Sequence, residues 1–369
     1  MDRKRVVYYD FARVFAIISI SFNHAVNRTF DNYTDTQAEF LSLDHQTILI
    51  KTCVTVFSRL GVPIFLMLTG ALILSKSFET KDDLKRFYTH NWLRILITTE
   101  LWLAIYYWFY YYLCPETYLL DLTHDELIHR FITTLLFVNQ ATEGLMWYMN
   151  MLIPLYTLLP VFAVFVSKKG FGRYLILPSF FTLFVTVIVY DVNRNLAITN
   201  PDPEALIVTN LYAPLTYFAV YVLAGYAISK GVLRKFPAIF ILLLAGEFFA
   251  LAVRYQLWFY EGPTNDLVSY DSVPLMLCAM TLFEFFRRLD GKVMAFFKGI
   301  LSHISRRCFG IYFLHIIIME LLCWHYDLSA FTQVQTMLII QAVSVVGALL
   351  IIEILSIIPP FRKYLFMVK

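Results

Sequence analysis

Residues 6–25 read VVYYDFARVFAIISISFNHA. The stretch is apolar and long enough to cross a bilayer, which takes about 20 residues, yet it carries Asp10, Arg13 and His24. Ionisable groups inside a span are costly and mark a pathway or a site. Arg13 and His24 are eleven residues apart. At about 100° per residue this returns them to within roughly 20° of one face, some 16 Å apart along the axis. Asp10 falls within roughly 40° of His24 and has the (i, i+3) spacing of an ion pair with Arg13. The competing explanation is a snorkelling arginine and a histidine at a helix end.

The rest of the chain agrees with a membrane class. Of 369 residues, 59% are hydrophobic and only 15% are charged, against about a quarter in soluble domains; the mean hydropathy is +0.64. The expectation is an all-α polytopic membrane protein forming a single integral-membrane domain over residues 1–369. A net charge of +3 is too small to argue for nucleic acid. Cys53, Cys114, Cys278, Cys308 and Cys323 show neither paired spacing nor a metal pattern, so no disulfide framework and no metal site are expected. The first apolar run is interrupted by charge and leads into further spans, so a cleavable leader is not expected.

Ten segments are long enough to cross: 6–25, 48–74, 87–112, 145–167, 173–191, 211–229, 236–254, 268–288, 300–323 and 334–358. Residues 127–138 are too short and read as an interfacial helix. With the N-terminus inside, twenty Lys and Arg fall on the cytoplasmic side against four (Arg28, Arg130, Arg194, Arg254) outside. The positive-inside rule therefore predicts about ten transmembrane helices with both termini cytoplasmic. Trp and Tyr gather at the expected outer ends, as at Tyr106–Tyr112 and Trp147, where aromatic side chains favour the membrane interface.

Other intramembrane polar residues follow. The second segment holds Arg59, roughly 16 Å from its outer end by the helix rise and too deep to snorkel with ease. Pro63 and Gly70 in the same segment read foremost as a packing kink. Arg94 and Arg13 lie at similar depths, and two inward-placed guanidinium forks suit phosphate recognition, with snorkelling an equal alternative for either alone. Trp147 and Tyr148 open the fourth segment, and Tyr217 and Tyr221 lie in the sixth. Belt anchoring is the simpler reading of all four. Glu247 and Asp271 have no partner identifiable from sequence. Tyr312 and His315 lie deep in the ninth segment, where His315 reads foremost as a structural histidine bonded to a neighbouring helix. Arg306 and Arg307 read as ordinary anchors.

Taken in order, these stretches resemble the acyltransferase 3 family of ten-span membrane acyltransferases that modify cell-envelope glycans. The resemblance rests on Arg13 and His24, with Asp10 before them; on Arg59, Val62, Pro63, Phe65 and Gly70, with Thr69 for the commoner serine; and on Arg94–Ile95. It continues through Trp147, Tyr148, Tyr156 and Pro160, with Leu145 where a histidine is frequent. It ends at Phe309, Gly310, Ile311, Tyr312 and His315, with Cys308 for serine. The resemblance implies a donor such as acetyl-CoA arriving from the cytoplasm, with no tightly bound cofactor. It also implies a hydroxyl acceptor on a sugar or lipid-linked glycan, in contact with membrane lipid. His24 is then the expected general base, Arg13 and Arg94 the donor-binding cations, and Asp10, Arg59, Trp147, Tyr148, Tyr312 and His315 supporting residues. An acyl-histidine intermediate stays open. Buried arginines and two deep histidines also fit a proton-coupled secondary transporter or flippase of an anionic solute.

Overall fold

A computed structural model describes residues 6–30, 42–114, 122–136, 146–167, 216–261, 268–289 and 292–368, with isolated positions at 188 and 192. Among the described residues there are helices and connecting turns and no strand. The first four helices are α1 (Val7–Phe30), α2 (His45–Ser58), α3 (Gly61–Ile73) and α4 (Lys81–Phe87). A π-helical turn, Tyr88–Trp92, joins α4 to α5 (Leu93–Leu113). Then come α6 (His124–Leu135), α7 (Trp147–Ser167), α8 (Thr216–Ser229), α9 (Ala238–Glu261) and α10 (Val273–Arg288). The last three are α11 (Lys292–Ser305), α12 (Cys308–His325) and α13 (Gln333–Leu355), followed by a second π-helical turn, Phe361–Leu365. Among the described residues, five stretches are long and apolar enough to cross a membrane: His45–Ile73, Trp147–Ser167, Ala238–Tyr260, Cys308–His325 and Gln333–Leu355. The expected span at 173–191 lies, apart from residue 188, outside the described residues, as does Leu145.

Helix starts are set by local chemistry. Asp44 accepts hydrogen bonds from the Gln46 and Thr47 amides at the head of α2. Thr80 with Asp83, Thr123 with Glu126 and Thr332 with Gln335 each form a reciprocal capping box, satisfying amides that a first helical turn leaves without partners. These caps place α6 three residues earlier than the interfacial helix read from sequence.

Two expected spans are interrupted. The second breaks at Arg59–Leu60, between α2 and α3. Pro63 therefore sits in the first turn of α3, where its missing N–H costs nothing. The carbonyls at the end of α2 are met from another helix: Ser19 Oγ of α1 lies 2.8 Å from Phe57 O and 3.0 Å from Ser58 O, its one proton shared between them. The ninth expected span, 300–323, is two helices divided at Arg306–Arg307. Its first part is α11, which exposes Phe296, Phe297 and Ile300 while Leu301 is buried.

α1 lies at the centre, packed against α2, α3, α10, α11, α12 and α13. Its small residues Ala12, Ala16, Ser19 and Ala25 are fully buried, which lets neighbouring backbones approach. The closest approach is between α3 and α8. A Cβ on Gly70 would lie 1.8 Å from Val222 O, and one on Gly225 would lie 2.0 Å from Met67 O. Each glycine receives the other helix's backbone, so α3 and α8 are locked in register.

Candidate active site

The site is built where α1 and α12 run alongside each other. At its N-terminal end, Arg13 Nη1 lies 3.1 Å from Asp10 Oδ1, the (i, i+3) pair expected from the spacing. Ser305 Oγ, at the end of α11, donates to the same carboxylate oxygen at 2.7 Å and lies 3.4 Å from Arg13 Nη1. The Asp10 side chain is 2% exposed and that of Arg13 30%. A buried carboxylate thus holds an arginine whose remaining surface is open. One turn on, Cys308 Sγ lies 3.7 Å from Arg13 O, taking the place at which the family resemblance expects serine.

Arg13 lines a cavity of about 450 Å³. Its polar wall is Arg13, Arg306, Ser305, Thr69, Tyr148, Tyr156 and Tyr312. Its apolar wall includes Phe65 and Leu68 of α3, Ile95 of α5, Leu152 of α7 and Met367 near the C-terminus. Six separate parts of the chain therefore meet around one space, with two arginines in its lining. Tyr156 and Thr69, both family positions, face it together.

From the cavity a run of rings leads to the two histidines. Tyr148 and Tyr312 have ring centroids 6.0 Å apart, Tyr312 and His315 6.4 Å, and His315 and His24 5.3 Å. His24 and His315 are beyond the cavity lining, behind Tyr312. His315 is 1% exposed. Its Nδ1 lies 2.8 Å from Ile311 O, and a carbonyl only accepts, so Nδ1 carries the proton. The bond runs within α12, and not to a neighbouring helix as sequence reading favoured. Nε2 is left as the basic nitrogen, buried and, among the described residues, without a hydrogen-bond partner. His24 is partly exposed, with Arg59 and Arg28 in electrostatic reach.

Arg59 ends α2 and places its guanidinium over the Tyr270 ring at 5.6 Å. The same ring stacks on Trp147 at 5.4 Å. Tyr221 OH donates to Tyr270 O at 2.6 Å, fixing that loop. Trp147 and Tyr148, read from sequence as belt residues in the first instance, thus both belong to the site at the start of α7, Trp147 stacked on the Tyr270 ring and Tyr148 in the cavity wall.

Arg94 goes elsewhere. Its Nε and Nη2 donate to Lys363 O at 3.2 and 2.9 Å, and it is not part of the cavity lining. The second cation at the cavity is Arg306, which sequence reading left as an anchor. Arg306 Nη2 lies 3.0 Å from Ser302 Oγ, whereas its neighbour Arg307 pairs with Glu353. Only the break between α11 and α12 separates their fates, and no local pattern signals it.

Beyond His24, Arg28 pairs with the buried Glu320, which also accepts from Tyr110 OH at 3.5 Å. Lys51 is fully buried, its ammonium 5.3 Å from the Phe30 ring centre and 5.1 Å from that of Tyr260. Neither Glu320 nor Lys51 is among the residues expected from sequence, although an acidic and a basic residue inside apolar helices are themselves a signal of a site.

In comparison with known proteins, a family model described as an acyltransferase domain, of the acyltransferase 3 type, aligns with residues 6–357. No curated protein and no solved structure matches the chain.

Proposed function

The chain belongs to the acyltransferase 3 family, and on that premise we propose that it transfers an acyl group, acetyl foremost, from cytoplasmic acyl-CoA to a hydroxyl of a cell-envelope sugar or lipid-linked glycan. The protein sits in the cell membrane with ten spans and both termini inside. The observation that carries this reading is the cavity with Arg13 and Arg306 at its wall, joined through Tyr148 and Tyr312 to His315 and His24. Its volume of about 450 Å³ lies within the usual range for small-molecule sites, about 300–1,000 Å³.

In this reading the phosphates of the donor meet the Arg13 and Arg306 guanidinium groups, since phosphate suits a planar fork of donors. The pantetheine arm and thioester extend along the apolar wall towards Tyr148 and Tyr312. The acceptor hydroxyl approaches from the His24 side. His24, as neutral imidazole, takes its proton while the oxygen attacks the thioester carbonyl. The tetrahedral intermediate collapses as the C–S bond breaks. The leaving thiolate takes the proton back from the imidazolium, giving an acyl ester, free CoA thiol and neutral His24. The His315 ring lies beside that of His24, centroids 5.3 Å apart, and packs against the base.

The test is direct. Purified protein in lipid discs is given labelled acetyl-CoA with an extract of envelope glycans and lipids. An acyltransferase releases CoA thiol and moves label to the acceptor fraction, and His24→Ala stops both while inserting normally. A carrier of anionic solutes leaves the thioester intact, and full activity in His24→Ala removes the imidazole from the mechanism.

A further inference from the structure

The chain's C-terminal segment returns to the bundle. The Phe361–Leu365 turn lies along α5, where three side chains one helical turn apart take three successive carbonyls. Arg94 donates to Lys363 O, Thr98 Oγ1 to Tyr364 O at 2.7 Å, and Trp102 Nε1 to Leu365 O at 2.9 Å. The next residue, Phe366, is 1% exposed, with its ring 6.2 Å from Trp102. Met367 then adopts φ 51°, in the left-handed region that non-glycine residues rarely enter. That turn brings the Val368 amide back to Arg362 O at 3.0 Å and puts Met367 in the wall of the cavity that Arg13, Ile95 and Phe309 also line.

Each part has a cost or a constraint that a loose tail would not show. A left-handed position at the end of a helical turn is ordinarily glycine. A bulky residue held there persists only where its surroundings over-determine it, and such positions cluster at sites. Here the three-carbonyl ladder and the buried Phe366 do the holding, and the one side chain delivered by the arrangement faces the cavity. Met367 is unbranched and adapts to the shape of a partner.

We propose that the segment Phe361–Met367 is a donor-positioning wall: Met367 contacts bound acyl-CoA, and Arg94, Thr98 and Trp102 act on the donor through that segment. The proposal rests on the acyl-CoA reading of the cavity. It gives Arg94 a positioning role, distinct from the direct phosphate contact expected from sequence. It also makes residues 361–367 part of the site, although they lie past residue 357, where the family match ends.

Two measurements on the full-length protein in lipid discs test it. The first is equilibrium binding of acetyl-CoA to wild type, Met367→Glu, Arg94→Ala and the double variant, each checked for an unchanged elution profile. The expected result is at least a tenfold weaker affinity in each single variant and no further loss in the double, because both act through one segment. The second is thiol labelling of Met367→Cys against wild type as background. Acetyl-CoA, which has no free thiol, should slow the added labelling at least fivefold, a protection that a merely structural residue would not show. Wild-type affinity in Met367→Glu, or labelling of Met367→Cys indifferent to acetyl-CoA, overturns this inference alone. Failure of wild type to bind acetyl-CoA overturns the functional reading and this inference with it.

Discussion

Replacing Arg13 by lysine tests the donor site most sharply, because it keeps the charge and removes the fork. In the structure one nitrogen, Nη1, serves both Asp10 and Ser305, while the side chain also lines the cavity. Arginine has further N–H donors left for an anion; lysine has a single ammonium that must choose between Asp10 and the donor. The change therefore removes about one charged hydrogen bond to phosphate, worth roughly 1.5–3 kcal/mol. Arg13 is 30% exposed, so screening by water puts the expected loss at the lower end, about 1.5 kcal/mol. At 1.4 kcal/mol per factor of ten, acetyl-CoA should bind Arg13→Lys about tenfold more weakly. Binding is measured by equilibrium dialysis of labelled acetyl-CoA against protein in lipid discs, at two salt concentrations. Because the net charge is kept, the salt dependence should stay that of wild type, while the intercept shifts. An affinity within twofold of wild type in both Arg13→Lys and Arg13→Ala would refute the assignment and return Arg13 to snorkelling and to its pair with Asp10.

Other substitutions separate chemistry from framework. His24→Ala should lose acyl transfer by a factor of about a hundred or more, the scale of general-base catalysis, while acetyl-CoA binding stays within about threefold; loss of binding in parallel would move His24 into the donor site. Gly225→Ala would bring a Cβ to 2.0 Å from Met67 O, so α3 and α8 must part. The expected cost is about 1–3 kcal/mol, read as a lower melting temperature in detergent, and a melting temperature at or above that of wild type would contradict the close packing. Ser19→Ala leaves two carbonyls at the α2–α3 break without their hydroxyl donor and should destabilise by about 1–3 kcal/mol; no change in melting would show that the break is satisfied without it. Glu320→Gln weakens the hold on Arg28 and should reduce transfer with little change in donor affinity, and an effect confined to donor affinity would place that pair on the wrong side of His24.

Much of this protein is legible in the sequence because helices obey a short period. The apolar runs, the shared face of Arg13 and His24 and the Asp10–Arg13 pair all follow from residues close together in the chain, whose geometry the helix itself sets. The acyltransferase 3 resemblance was legible for the same reason, as a string of local motifs in order. What only the tertiary structure decided lies in contacts between distant residues: Ser305 on Asp10, His315 beside His24, Glu320 on Arg28 and the Lys363 carbonyl on Arg94. Periodicity says which face a side chain occupies, but not which helix arrives there. It therefore marks Arg94 as a donor-binding cation and Arg306 as an anchor, whereas the packed bundle puts Arg306 and not Arg94 in the cavity lining. Helix breaks decided the rest. The one at Arg306–Arg307 turns one arginine to the cavity and its neighbour to Glu353, and the close of the last helical turn carries Met367 into the cavity wall. Those outcomes depend on what the surrounding helices leave unfilled, a property of the packed bundle and not of any stretch of the chain within it.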